Sequence, residues 1–149
     1  MTSSWEQFEE FIREEMGKTY SEMTIDHAMN PRNVGDMAHA DGFAKVIGPC
    51  GDTMEIWLKI NNDTITEATF MTDGCGTSIA SGSMITEMAK EKSIIEAQKI
   101  SRQDVLSALG GLPEESQHCA LLAANTLKAA IRDYLAMKKE PWKKAYRKY

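Results

Sequence analysis

The sequence predicts an α+β fold: a three-stranded antiparallel β-meander packed against helices, with one long C-terminal helix. Three observations predict it. Three short strand-like runs follow one another between residues 43 and 70, joined by connections too short for a crossover helix. The second half of the chain carries helix-start signals and helical spacing. The apolar face of the meander also needs those helices to cover it.

Taken in order, Trp5, Phe8, Ile12, Met16 and Met23, with Phe11 and Tyr20 alongside, recur at roughly helical spacing through Glu-rich sequence. This predicts an amphipathic N-terminal helix, broken near Gly17, whose apolar stripe faces the core. Asn30-Pro31-Arg32-Asn33-Val34-Gly35 is a turn cluster that ends any helix there, and residues 35–42 read as loop. The first strand covers residues 43–47 and runs into Gly48-Pro49-Cys50-Gly51-Asp52. The second covers 54–60, with Met54, Ile56, Leu58 and Ile60 on one face, and Asn61-Asn62-Asp63 turns it into a third at 64–70. A helix over residues 78–90 carries Ile79, Ile85 and Met88 among small residues, which suits close packing on the sheet. Ser93 with Glu96, and Ser101 with Asp104, read as two capping boxes. Gly110-Gly111-Leu112-Pro113 ends the second of these helices. A long helix then runs from about Ser116 to about Met137, and Pro141 stops it. The predicted organisation is an N-terminal helical extension (1–18), one globular domain (19–137) and a basic C-terminal tail (138–149).

A chain of 149 residues suits one domain. Its net charge of −5 argues against nucleic acid as the main partner. That charge is uneven, because residues 5–16 carry five Glu and one Arg while 138–149 carry six Lys or Arg and one Glu. Either end could mediate self-association. There is no secretory signal pattern and no apolar run of membrane-spanning length. Three cysteines without a signal fit a reducing cytoplasm better than a disulfide framework.

All three cysteines fall at element junctions. Cys50 lies in the turn between the first two strands, and Cys75 follows the third strand in Asp73-Gly74-Cys75-Gly76-Thr77-Ser78. Cys119 opens the long helix directly after His118. A meander returns its third strand to the end where the first turn lies, so Cys50 and Cys75 are expected at one edge. His118 and Cys119 join them if the long helix starts there, and Asp52 is two residues from Cys50. A lone cysteine is usually a small buried apolar residue, but glycines on both sides let a backbone approach a ligand. A helix start favours a thiolate as well. His27 and His39 lack a cysteine neighbour and read as structural or solvent-exposed. Three thiols with one His or Asp could close a tetrahedral zinc site or hold a [2Fe–2S] cluster. Spacing alone leaves both open.

At these residues the sequence resembles the IscU/NifU-type iron–sulfur cluster assembly scaffolds over about residues 20–135. The family's opening stands as Tyr20-Ser21-Glu22, Ile25-Asp26-His27 and Asn30-Pro31-Arg32-Asn33-Val34-Gly35. Its ligand loops stand as Pro49-Cys50-Gly51-Asp52, as Gly74-Cys75-Gly76-Thr77-Ser78-Ile79-Ala80-Ser81, and as Leu112-Pro113 followed by His118-Cys119-Ala120. The spacing from Cys75 to Cys119 leaves no room for the insertion of SufU-type relatives, and His118 stands where those have a basic residue.

The resemblance implies a SufE/NifU-like fold with its site at one exposed end. It implies a scaffold rather than a turnover enzyme, with Cys50, Cys75 and Cys119 as cluster ligands and His118 or Asp52 completing the set. Asp52 is the residue the family associates with cluster lability. Cys119 matches the acceptor of persulfide sulfur from a cysteine desulfurase. A ferredoxin-like electron donor, a frataxin-like protein and acceptor apo-proteins are the further implied partners, and zinc can fill the cluster-free site. One departure stands out. Where the IscU branch typically has Pro-Val-Lys-Ile, this chain has Glu114-Glu115-Ser116-Gln117, which speaks against docking of an Hsp70-type chaperone. The alternatives are a zinc-binding structural or regulatory protein, and a persulfide carrier that builds no cluster.

Overall fold

The computed structural model describes residues 4–16, 20–49 and 51–142; Cys50 and the tail beyond Trp142 lie outside the described residues. Three strands, β1 (Gly42–Ile47), β2 (Thr53–Asn61) and β3 (Thr64–Thr72), form one antiparallel sheet in the order β1-β2-β3. The expected meander is therefore the observed one. Its tight turn is Asn62-Asp63, flanked by the Asn61–Thr64 pair, and both turn residues have positive φ (52° and 58°). That is the twist a two-residue hairpin loop requires.

Helices α2 (Glu22–Met29), α3 (Gly76–Ala89), α4 (Ile94–Gln98), α5 (Arg102–Ala108) and α6 (Gln117–Lys139) cover one face of the sheet and one another. The two predicted capping boxes are present, with Ser93 capping α4 and Ser101 capping α5. The long helix starts one residue later than expected, because Glu114–Ser116 form a short 3₁₀ turn ahead of it. Met54, Ile56 and Leu58 of β2 and Ile65, Ala68 and Phe70 of β3 are buried against Ile85, Leu109, Leu127 and Ile131 from the helices.

Helix α3 is the inner helix. It packs on β3, α2, α5 and α6, and nearly every residue from Thr77 to Thr86 is buried. Small side chains make this possible. A Cβ on Gly82 would fall inside the Phe70 ring, so the helix backbone lies directly on the strand. Ser83, also fully buried, sits 2.7 Å from His27 Nδ1 and accepts the Arg32 N–H at 2.9 Å. His27 is thus a structural histidine, as its sequence context predicts, and burial holds its pKa below the ordinary value. His39 is exposed. The segment after α2 then pairs with the sheet edge through Gly35 N–H to the Phe70 carbonyl (3.0 Å) and Phe70 N–H to the Asn33 carbonyl (2.9 Å).

Helix α6 runs the length of the sheet. At the far end Tyr134 donates to Asp63 at 2.7 Å and Lys138 pairs with the same carboxylate at 3.0 Å. The Tyr134 bond, and then Lys138, hold Asp63 below the usual carboxylate range, while the tyrosine is pushed up to about 12. At the near end Leu122 stands against Gly48 of the β1–β2 loop. This fixes the start of α6 at the end of the sheet where β1 exits.

One expectation is corrected. Helix α1 (Ser4–Met16) forms, but Trp5, Phe8 and Phe11 are 68%, 52% and 59% exposed, and Met23 is 45% exposed. Helical periodicity shows that an apolar stripe exists and leaves open what faces it. Of the predicted stripe Tyr20 packs on the core; Gly17 and the side chains of Ile12 and Met16 lie outside the described ones.

The close approach of α3 to β3 predicts that Gly82→Ala destabilises the protein by ~1–3 kcal/mol through overpacking against Phe70. A thermal melt with a midpoint several degrees lower supports this; an unchanged midpoint contradicts it.

Candidate metal and sulfur site

The site is built where three elements end together. β3 runs out at Thr72, and Asp73 stays attached to β2 by accepting the Thr53 N–H at 2.7 Å. Gly74 then makes the turn, with Cys75 at the N-cap of α3. A Cβ at Gly74 would stand 2.9 Å from Asp52 Oδ2 and inside the Ser78 hydroxyl. Glycine here keeps open the space in which the polar groups meet. The β1–β2 loop reaches the same place. Gly48 N–H donates to the Asp52 carbonyl at 2.7 Å and Gly51, at φ 85°, donates to the Gly48 carbonyl at 3.0 Å. This clamp fixes both ends of the loop that carries Cys50, which itself lies outside the described residues.

Two hydroxyls of the first turn of α3 stand at the centre. Thr77 Oγ1 lies 3.0 Å from Cys75 Sγ and 3.4 Å from Cys119 Sγ. Ser78 Oγ lies 3.3 Å from both Asp52 Oδ2 and Cys119 Sγ, and 4.0 Å from Cys75 Sγ. His118 Nε2 is 3.6 Å from Cys119 Sγ. Of the sequence-predicted residues, Asp52, Cys75, His118 and Cys119 are therefore brought to one place. They meet across Thr77 and Ser78 rather than around a common point. Among the described residues, no three His, Cys, Asp or Glu side chains stand ready to hold a metal ion.

The two described thiols differ in character. Cys75 is exposed and Cys119 is buried, at 1% exposure. Partial burial raises the Cys75 pKa most among single influences. The Thr77 hydroxyl, the backbone N–H groups of Ser78 and Thr77, and the Ser78 hydroxyl together outweigh it and hold the thiol below its ordinary value. No side-chain hydrogen bond caps α3 from Cys75, so those N–H groups act on the sulfur as a field at the helix start. Burial pushes the Cys119 thiol up, the Ser78 and Thr77 hydroxyls offset part of this, and the neighbouring Cys75 adds to it.

Thiols with an imidazole and a carboxylate in reach, at a surface edge, are donors of the kind soft metals take. Thr77 and Ser78 had no role in the sequence reading. The available signal was two hydroxyl residues directly after a cysteine at a helix start, where their side chains turn back toward the preceding residue.

Comparisons with known proteins show what the chain as a whole is similar to. The family model of the NifU-like N-terminal domain matches residues 19–141. Over 116 residues the chain is 51% identical to the iron–sulfur cluster assembly scaffold protein IscU 1 of Archaeoglobus fulgidus, covering 77% of this chain and 76% of that one. It is 48% identical over 120 residues to IscU of Escherichia coli K12, covering 77% of this chain and 93% of the relative. A NifU-like N-terminal protein from Brucella abortus shares the fold, with a TM-score of 0.64 at 20% identity over 81% of this chain and 97% of that one.

The two environments predict separate titrations. In the reduced, metal-free protein Cys75 should alkylate with a pH midpoint below that of Cys119, since the first thiol is shifted down and the second up. Peptide-resolved mass spectrometry after iodoacetamide pulses reads both. Equal midpoints would contradict the assignment.

Proposed function

Because this chain belongs to the NifU-like N-terminal domain family, we propose that it is a scaffold on which a [2Fe–2S] cluster is assembled from iron and persulfide sulfur and then handed to acceptor proteins. The observation that carries this reading is the meeting of Asp52, Cys75 and Cys119 on the first turn of α3, beside the loop that carries Cys50. The cluster is cargo, and the residues are a temporary ligand set.

Each residue has a task in this scheme. Cys75, exposed and biased toward thiolate, is the first contact for incoming iron. Cys119 takes sulfur: its thiolate attacks the outer sulfur of a desulfurase persulfide, a new S–S bond forms and the desulfurase thiolate leaves. Two electrons from a ferredoxin-like donor, with one proton, then cleave the Cys119 persulfide into sulfide and the regenerated thiolate. Since Cys119 is buried in the free chain, desulfurase docking has to expose its sulfur first. His118 or Asp52 completes the ligand set with Cys50, Cys75 and Cys119. Asp52 is a hard oxygen donor and a poor partner for an iron–sulfide core, which keeps the cargo removable. A reducing cytoplasm, which keeps the thiols free, is the setting this chemistry needs. The exposed Glu114 and Glu115 leave release independent of an Hsp70-type chaperone at that segment.

Anaerobic reconstitution with iron, cysteine and a desulfurase tests the reading. Sulfide-to-iron charge-transfer absorption that moves to an apo-ferredoxin is the predicted result. A colourless protein that keeps one stoichiometric zinc throughout would instead make this a zinc protein. Persulfide on Cys119 with no bound iron would make it a sulfur carrier. Asp52→Ala should slow cluster loss severalfold, measured as decay of that absorption; equal decay in variant and parent would refute the lability role.

A further inference from the structure

We propose that the aromatic stripe of α1 is a docking surface for the chain's own C-terminal tail, residues 142–149. The inference goes beyond the scaffold reading and concerns the two ends of the chain, which lie largely outside the stretch matched by the family model.

The argument starts from what α1 lacks. Among the described elements it alone packs closely on no other. Trp5, Phe8 and Phe11 are more than half exposed, and the Trp5 and Phe8 rings lie against each other, with centroids 6.0 Å apart. A helix of 13 residues is marginal in water by itself and takes its stability from whatever covers its apolar face. An open stripe of aromatic rings also invites self-association. The stripe therefore calls for an occupant.

Charge, spacing and reach select the tail. Residues 5–16 carry five Glu and one Arg, so a second α1 or an anionic lipid surface would meet this helix with like charge. The tail carries Lys143, Lys144, Arg147 and Lys148 and no acidic side chain from 142 onward. Its apolar residues, Trp142, Tyr146 and Tyr149, are spaced i, i+4 and i+7, and Trp5, Phe8 and Ile12 are spaced i, i+3 and i+7. Trp142, where the described residues end, is 65% exposed. The two ends also reach each other. The chain after α1 is anchored where the Ser21 and Thr24 hydroxyls donate to the Leu109 carbonyl, and the tail leaves the far end of α6. Helix α6 is ~34 Å long and α1 ~20 Å, at the α-helical rise. Residues 140–149 span up to ~33 Å when extended, so α1 and the tail together exceed the length of α6. Segments joined through one body meet at an effective concentration of about millimolar, which favours the chain's own tail over a second copy's.

The test uses the full chain at low salt and reads hydrogen exchange of residues 4–16 and carbodiimide cross-links, which join carboxylates to amines in contact. Residues 4–16 should be protected in the parent. Lys143→Glu with Arg147→Glu should speed their exchange about tenfold, because attraction becomes repulsion. Adding Glu10→Lys and Glu14→Lys to that variant should return exchange to near the parent rate. In a mixture of unlabelled and ¹⁵N-labelled protein, cross-links between the α1 glutamates and the tail lysines should join peptides of one label only. Cross-links that mix the labels would make the stripe an interface between copies and overturn the proposal. So would an unprotected α1 in the parent, protection that the tail reversal leaves unchanged, or a reversal that the compensating exchange of charges does not rescue. None of these outcomes bears on the cluster site, so the scaffold reading stands or falls separately.

Discussion

The structure depends on how closely α3 lies against β3. Strand and helix are joined only by Asp73-Gly74-Cys75, so wherever the helix sits, the first turn that carries Cys75, Thr77 and Ser78 sits with it. Gly82 on Phe70 sets the depth of that contact, and Ser83 ties the other side of the helix to His27 and the backbone of Arg32. With α3 fixed from both sides, α6 has one groove left, along β1 and β2. Its first turn then brings Cys119 onto Ser78, with His118 beside it. A surface site assembled from the ends of three elements is normally loose. Here its precision is inherited from a buried helix.

The electrostatics of the site follow from the same arrangement. The two thiols stand on the same two hydroxyls, yet they are pushed in opposite directions, because one lies at an open helix start and the other is buried in the first turn of α6. The exposed sulfur is thus shifted toward thiolate and the buried one toward thiol. A scaffold that takes up iron and sulfur from different donors gains from such a difference, since the two thiols need not react with the same partner at the same moment. The far end of the molecule is fixed by a different kind of contact, the Tyr134–Asp63–Lys138 cluster, and carries no part of this chemistry.

Much of this was legible in the residues. The strand alternation of β2, the two capping boxes and the short turns specify a meander and its covering helices by local rules, and the meander's topology alone brings the Cys50 loop and Cys75 to one end of the sheet. The start of α6 was legible from Pro113 and the residues after it; its position beside Cys75 rested on a condition that only packing could supply. Three things were not legible. The Val34 contact to Phe70 is a single bridge made by loop residues, with no periodicity to announce it. The exposed aromatic face of α1 has the same periodicity as a core face. The role of Thr77 and Ser78 depends on where Cys119 and Asp52 arrive from distant parts of the chain, and no spacing rule encodes that.

The central claim is that this edge of the sheet holds an iron–sulfur cluster as cargo. Mössbauer spectroscopy of the protein reconstituted with ⁵⁷Fe tests it most directly. The account predicts two tetrahedral ferric sites coupled to a diamagnetic ground state, with a mixed sulfur and non-sulfur ligand set at one of them, and loss of both together on addition of an apo-acceptor. A single mononuclear iron site, or a diiron signal that stays with this chain in the presence of acceptor, would contradict it.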